Sequence, residues 1–303
     1  MMLCPRALGQ ATRSSRPLVA TRFEQKRSVR MSAIVNDPYL PQAPADGPSI
    51  AKAYPHGVKS MSQGTTVYDA LKRIGTTFEQ KPLDSGSPYV KPASVIYTFD
   101  GKPRRWDIVE SHPSVGVVLY HTGLRAFLIV RQFRPAVYAT SLRAALAAGQ
   151  PPPDRFEGFT YELCAGLIDK AKSMTQICKE EIEEEVGYSV PLEKISPLCS
   201  AVSSAGTSGA RHAMFVACVD DSMRATGGGG LVDHGECIEV LSLPLEHTEA
   251  FVLDDTLPKS PGLMFGLIWA YHAIKSGKLG GGEPSGSNGL LTEELVLKPV
   301  LPA

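Results

Sequence analysis

YELCAGLIDKAKSMTQICKEEIEEEVGY, residues Tyr161 to Tyr188, sets a crowded acidic segment between two glycines, Gly166 and Gly187. Ser173 followed three residues on by Gln176 has the form of a capping box, and Gly187 stands where a left-handed C-terminal cap belongs. The spacing therefore predicts a helix over Met174 to Val186. At about 100° per residue, Met174, Ile177, Cys178 and Ile182 form one apolar face. Glu181 and Glu185 fall within that face and Glu184 lies on its flank, whereas Lys179, Glu180 and Glu183 point away to solvent. Carboxylates three and four residues apart repel one another, and burial raises the cost. A helix with only a structural role would gain by replacing them. A hard divalent cation with oxygen ligands removes the conflict, and Mg²⁺, held jointly by carboxylates and substrate phosphates, suits it best.

The same stretch resembles the signature of the Nudix hydrolase family: Gly, five residues, Glu, seven residues, Arg-Glu, an aliphatic, any residue, Glu-Glu, any residue, Gly, an aliphatic. Gly166, Glu181, Ile182, Glu184, Glu185 and Gly187 fall at the required spacings. Among the charged positions two depart, with Lys172 in place of the early Glu and Glu180 in place of the Arg. The resemblance implies that Glu181, Glu184 and Glu185 ligate catalytic Mg²⁺, with Mn²⁺ as a substitute. The departures remove an auxiliary metal contact and a helix-orienting ion pair, and Asp169 is a candidate replacement ligand.

The likeness runs over about residues 95 to 275. RRWDIVESHPSVGVVLY, VRQFRPAVY, YELCAGLID, SSAGTSGARHAMFVA and GGGLVDHGECIEVLSLPL occur in the order expected of the nucleoside-diphosphate-sugar branch of the family. It implies Mg²⁺-dependent hydrolysis of a nucleotide sugar at its pyrophosphate bond, UDP-glucose giving UMP and glucose 1-phosphate. ADP-ribose is the alternative substrate, and an impaired nucleotide-binding protein is the reading that Lys172 and Glu180 motivate. In related hydrolases a Glu before the signature, a backbone carbonyl beside its first glycine and an acid on a late loop complete the site. These map onto Glu162, Ala165 and Glu236. Asp233 and His234 share the loop with Glu236, and Glu162 reads equally as a strand-end charge.

A diphosphate also needs cations. Arg131 and Arg134 leave the end of an apolar strand together, and guanidinium suits two-point phosphate contacts. The competing reading is a pair of surface arginines. Trp106 reads as core or dimer interface, and the hairpin around it, with the family likeness, implies a homodimer.

Hydrophobic residues make up 43% of the chain and charged ones 20%, a composition suited to one catalytic domain with extensions. Residues 1–36 hold seven basic residues against the single acid Glu24, although the whole chain is balanced. Residues 1–36 are thus a basic extension. Residues 1–30 read as a mitochondrial or plastid transit peptide, or as a dispensable tail of a cytoplasmic protein. Residues 37–93 read as a proline-rich linker or arm with one short helix near Thr66 to Gln80, and 277–303 as a flexible tail. Between them, 94–276 form the hydrolase domain: an α/β fold with a mixed β-sheet in an α/β/α sandwich, as in Nudix proteins, preceded by an antiparallel hairpin. The stretch from Thr140 to Thr160, with Pro151 to Pro153, reads as an insertion. The acidic remainder offers no basic stripe for nucleic acid, and no apolar run is long enough to span a membrane. The six cysteines are widely spaced and read as reduced thiols.

Overall fold

The computed structural model describes residues 48–75, 77–83, 87 and 90–280. The basic extension and the tail beyond residue 280 lie outside the described residues.

Two nearly continuous apolar strands form the centre, β4 (Ser114–His121) and β5 (Ala126–Phe133). Such runs suit strands covered on both faces. They pair only near their connecting turn, from Leu119 with Leu128 to His121 with Ala126, and then part. The gap is filled by one continuous stretch. Its first half, β6 (Phe159–Glu162), pairs with β5, and its second half, β7 (Cys164–Leu167), pairs with β4. On the far side of β4 lies β9 (Arg211–Val219) in parallel, followed by the antiparallel edge strand β8 (Ser196–Val202). Beyond β5 comes β10 (Glu239–Pro244), which completes a mixed eight-stranded sheet with a short edge strand, β1 (Lys59–Ser60).

Alternation along the strands sorts side chains between two cores. Val115, Val117, Leu119, Leu128 and Val130 pack with Ile177, Cys178, Ile182 and Val186 of the acidic segment. Val118, Tyr120, Phe127 and Ile129 face the other way and meet Leu263, Leu267 and Ala270 of a C-terminal helix, Pro261–Lys275. A helix on each face of a mixed sheet is the expected α/β/α arrangement.

The arm is built into this body. After a short helix α1 (Ile50–Ala53), strand β1 joins β10, and helix α2 (Val67–Arg73) opens with a capping box between Thr66 and Asp69. Val67, Ala70 and Leu71 then pack with Ala53 and Phe159 in a third, smaller cluster. The expected insertion begins instead as a helix, α3 (Pro135–Ala147). Pro135 sits at its first turn, where a missing N–H costs nothing, and the alanines that follow are good helix formers.

The hairpin forms a separate two-stranded sheet, β2 (Lys91–Phe99) with β3 (Lys102–Glu110). Trp106 is not in the core: it is 53% exposed and donates through its indole N–H to the Gly206 carbonyl at 2.9 Å. All described cysteines are free thiols.

Candidate active site

The acidic segment forms as the sequence predicts at its start and differs at its end. The Ser173 hydroxyl accepts from the Gln176 N–H and the Gln176 side chain accepts in return from the Ser173 N–H, opening helix α4 (Met174–Glu181). From Ile182 to Val186 the chain widens into a π-turn, closed by the Gly187 N–H donating to the Ile182 carbonyl at 2.9 Å. Gly187 then leaves in the left-handed region at φ +84°.

This placement sends the glutamates to different surroundings. Glu180 turns outward and pairs with Lys172, and with Lys170 at 3.7 Å. Glu183 accepts from the Ser189 hydroxyl at 2.6 Å. Glu181 lies over Gly166 so closely that a Cβ there would come 2.0 Å from its Oε1, which explains the glycine. Glu184 is half-buried. Glu185 is buried against β7, where it accepts the Ala165 N–H at 3.0 Å and a hydrogen bond from the Cys164 thiol.

Burial is the main electrostatic consequence. It pushes Glu185 up to about 8, reinforced by the charge of Glu181. It also lifts Glu181 to about 7, with the neighbouring charge of Glu184 adding to the effect. Glu236, on the loop before β10, accepts the Leu231 N–H at 2.7 Å, and its charge raises both groups further. Against this negative field stands Arg134. It is gripped by Glu162 through two hydrogen bonds of 2.8 and 2.6 Å, it feels the charges of Glu185 and Glu236, and it remains about half exposed. The Thr160 hydroxyl donates to the same Glu162 oxygen, Oε1, that accepts from Arg134 Nε.

Glu181, Glu184, Glu185, Glu236, Glu162, Ala165 and Arg134 therefore gather where β6 and β7 fill the gap between β4 and β5. Ligands of α/β sheets bind at such splits in strand order. Arg131 does not join them. The two-residue period of β5 sends Val130 toward α4 and Arg131 through the opposite face, where it is fully buried. There it pairs with Glu239, donates to the Ala53 carbonyl and the Tyr161 hydroxyl, and lies over the ring of Tyr54. Fully buried, with four of its five N–H groups engaged by protein, it does not reach the acidic group, so the expected substrate role is corrected to a structural one. Asp233 and His234 are exposed.

The carboxylates suit a hard cation chemically, since three lie together and the buried one has no positive partner. Among the described residues, however, no three acidic, His or Cys side chains converge to hold an ion unaided. Glu185 is turned back onto the Ala165 N–H. Mg²⁺ commonly takes one or two carboxylates and completes its shell with water and phosphate oxygens, so the residues fit a shared site rather than a closed cage. Two clefts of about 370 and 340 Å³, one beside Arg224 and Gly227 and the other beside Phe156 and Leu257, contain none of these carboxylates.

No family model matches the chain. Among individual proteins, it is 35% identical over 206 residues to the uridine diphosphate glucose pyrophosphatase of Bos taurus, covering 64% of this chain and 93% of that protein. The Mus musculus protein of the same name is 32% identical, covering 63% and 92%. The chain belongs to the Nudix hydrolase family. A GDP-mannose pyrophosphatase from Cronobacter sakazakii, 34% identical over 46% of this chain and 63% of its own, is a more distant relative.

Within this Nudix site, the two departures from the signature answer each other. Lys172 and Glu180 form an ion pair that ties the loop after β7 to α4 with reversed polarity. Sequence reasoning treated them as separate losses. Their spacing and opposite charge are the signal that could have found the pair. It also missed the Cys164 contact to Glu185, for which the sequence offers only a Cys two residues before Gly166.

Proposed function

We propose that this Nudix hydrolase cleaves the pyrophosphate bond of nucleoside diphosphate sugars, UDP-glucose foremost, to UMP and glucose 1-phosphate. The observation that carries the reading is the acidic group of Glu181, Glu184 and Glu185, whose buried member has no ion-pair partner and lies within the field of Arg134, in a chain similar along most of its relatives' length to UDP-glucose pyrophosphatases.

Glu181, Glu184 and Glu185 would hold Mg²⁺ or Mn²⁺, with the Ala165 carbonyl as a further donor. When bound there, the cation would supply polarisation of the diphosphate and a more acidic attacking water. Arg134, held in place by Glu162, meets the negative charge that grows on the diphosphate oxygens, with Glu162 orienting the guanidinium as it contacts substrate. Glu236 sits at the loop edge of the group and takes the proton from the attacking water. The Lys172–Glu180 pair keeps the α4 loop anchored, which favours a working enzyme over an impaired nucleotide-binding protein.

The chain acts as a homodimer in this reading. Val95, Ile96, Tyr97, Phe99 and Trp106 leave an apolar surface on the β2–β3 hairpin, and apolar patches of this kind mark interfaces. The protein would work in the cytoplasm, or in a mitochondrion or plastid if residues 1–30 direct import. Among the described residues no helix is long and apolar enough to cross a membrane.

The test is release of nucleoside monophosphate from UDP-glucose, ADP-ribose and GDP-mannose with and without Mg²⁺, comparing wild type with Glu184→Gln. Mg²⁺-dependent cleavage led by UDP-glucose and abolished in the variant supports the reading. A lead by ADP-ribose overturns the substrate, and no turnover of any compound overturns the activity.

A further inference from the structure

The loop that delivers Glu236 is interlocked with the end of the acidic segment through backbone alone. The Gly229 N–H donates to the Glu185 carbonyl at 2.8 Å and the Gly230 N–H to the Glu184 carbonyl at 3.1 Å. In the other direction, the Ala225 and Thr226 N–H groups donate to the Gly187 carbonyl at 2.8 and 3.0 Å. The last carbonyls of a helix normally lack partners within it. Here they are the seat on which a second segment rests.

The two backbones approach too closely for side chains at the crossing. A Cβ on Gly228 would lie 2.5 Å from the Glu185 carbonyl oxygen, and one on Gly187 would lie 2.5 Å from the Thr226 carbonyl oxygen. Gly228 also sits at φ +66°, a region that L side chains rarely adopt. Consecutive N–H groups then divide between the two acidic elements. Those of Gly229 and Gly230 hold the Glu185 and Glu184 carbonyls, and that of Leu231 holds the Glu236 carboxylate at 2.7 Å. Gly230 fits beneath that carboxylate, since its Cβ would lie 2.6 Å from Glu236 Oε2.

We infer that Gly228 is a positioning residue, and that Gly228 to Gly230 form a backbone clasp fixing Glu184 and Glu185 of the π-turn and Glu236 of the loop in one arrangement. The role rests on the proposed reaction, in which these acids act together. The clasp explains how an exposed loop acid can keep a constant distance from two helix acids without touching them. It also gives the π-turn a use, because the widened turn supplies the seat for Gly229 and Gly230.

Gly227 provides the matched control: a Cβ there meets nothing within 4 Å and its backbone is unstrained. With UDP-glucose and Mg²⁺, Gly228→Ala is expected to lower kcat about 30-fold with KM within about two-fold, and Gly227→Ala to stay within about two-fold of wild type. In a Glu236→Gln background, Gly228→Ala should add less than about three-fold, since both changes disable one unit. A folded Gly228→Ala protein with the kcat of Gly227→Ala would overturn the clasp, leaving the contact a helix cap and nothing more. A second measurement needs neither turnover nor the Gly228 variant, so it separates failure of the clasp from failure of the proposed reaction. Amide hydrogen exchange in Glu236→Ala, which removes the acceptor of the Leu231 N–H, should speed up about ten-fold or more at Gly229 and Gly230 together with Leu231. Faster exchange at Leu231 alone would show that the loop acid and the helix end are not coupled, and the inference would fall.

Discussion

Strand β5 and its neighbours divide charge between two faces, and the faces treat it in opposite ways. On one, Arg131 is buried with Glu239 as its counter-charge, and that carboxylate also accepts from the Val67 N–H at Oε2 and the Tyr54 hydroxyl at Oε1. On the other, Glu185 is also buried, with only a backbone N–H and a thiol for company. The first face is neutral and closed, which is what a fold requires of its own charges. The second gathers carboxyls whose burial pushes two of them far above the ordinary range, with no positive partner for the buried one, and shifts of that kind cluster at functional sites.

Breaking the closed face should have the largest effect. Arg131→Met leaves Glu239 charged and buried, and we expect a loss of about 3–5 kcal/mol in unfolding free energy, read by denaturant titration. Turnover per folded molecule should persist, because Arg131 lies across the sheet from the acids. If activity fell while stability held, Arg131 would belong to the site after all.

The open face should respond in the reverse sense. Glu185→Gln removes a buried charge that costs stability, so the metal-free variant at pH 8 should melt higher than wild type, while Mg²⁺-dependent turnover falls by about 100-fold or more. A lower melting temperature than wild type at that pH would mean that the charge is compensated in the fold.

Acidity sharpens the contrast without mutation. Glu181 and Glu185 have folded pKa values of about 7 and about 8, above the ordinary carboxyl value of 4.5. The folded protein thus binds more protons than the unfolded chain between about pH 4.5 and 8, and stability falls as pH rises through that window. The slope is at most about 1.4 kcal/mol per pH unit for each proton involved. Thermal unfolding without metal should show this decline, and Mg²⁺ should flatten it by stabilising the charged forms. A profile unaffected by Mg²⁺ would argue against a cation at these carboxylates.

The smallest effect concerns the pair at the edge. Lys172 and Glu180 are partly exposed, so Lys172→Glu or Glu180→Lys alone should lower the melting temperature only slightly, and the double exchange should recover it. Absence of recovery in a double-mutant cycle would show that the pair does not act as a tie.

Much of the acidic site was legible because its determinants are local. A capping box, an apolar stripe and a terminal glycine define the helix within Ser173 to Gly187, and burial of Glu185 follows from its place in the stripe. Arg131 was not legible, since AFLIVRQF is buried on both faces and shows no alternation from which to read a side. Its partner Glu239 lies 108 residues away. Helix α3 was hidden by the prolines that follow it, and strand β1, of two residues, is too short to leave a periodic signal. The π-turn depends on the glycine run some forty residues later, a contact that no window around the helix contains.

The separation of Arg131 from Glu239 also orders events as the chain is made. Strand β5 leaves the ribosome long before β10, so its guanidinium has no counter-charge while the intervening strands are synthesised. Until β10 docks, burying Arg131 would strand a charge in the core, and the growing chain has reason to keep that edge of the sheet loose. Glu239 and the loop that carries Glu236 arrive together. The step that lets the core close is thus the step that delivers the last acid to the acidic group beside Arg134, making assembly of the core a checkpoint for assembly of the candidate site.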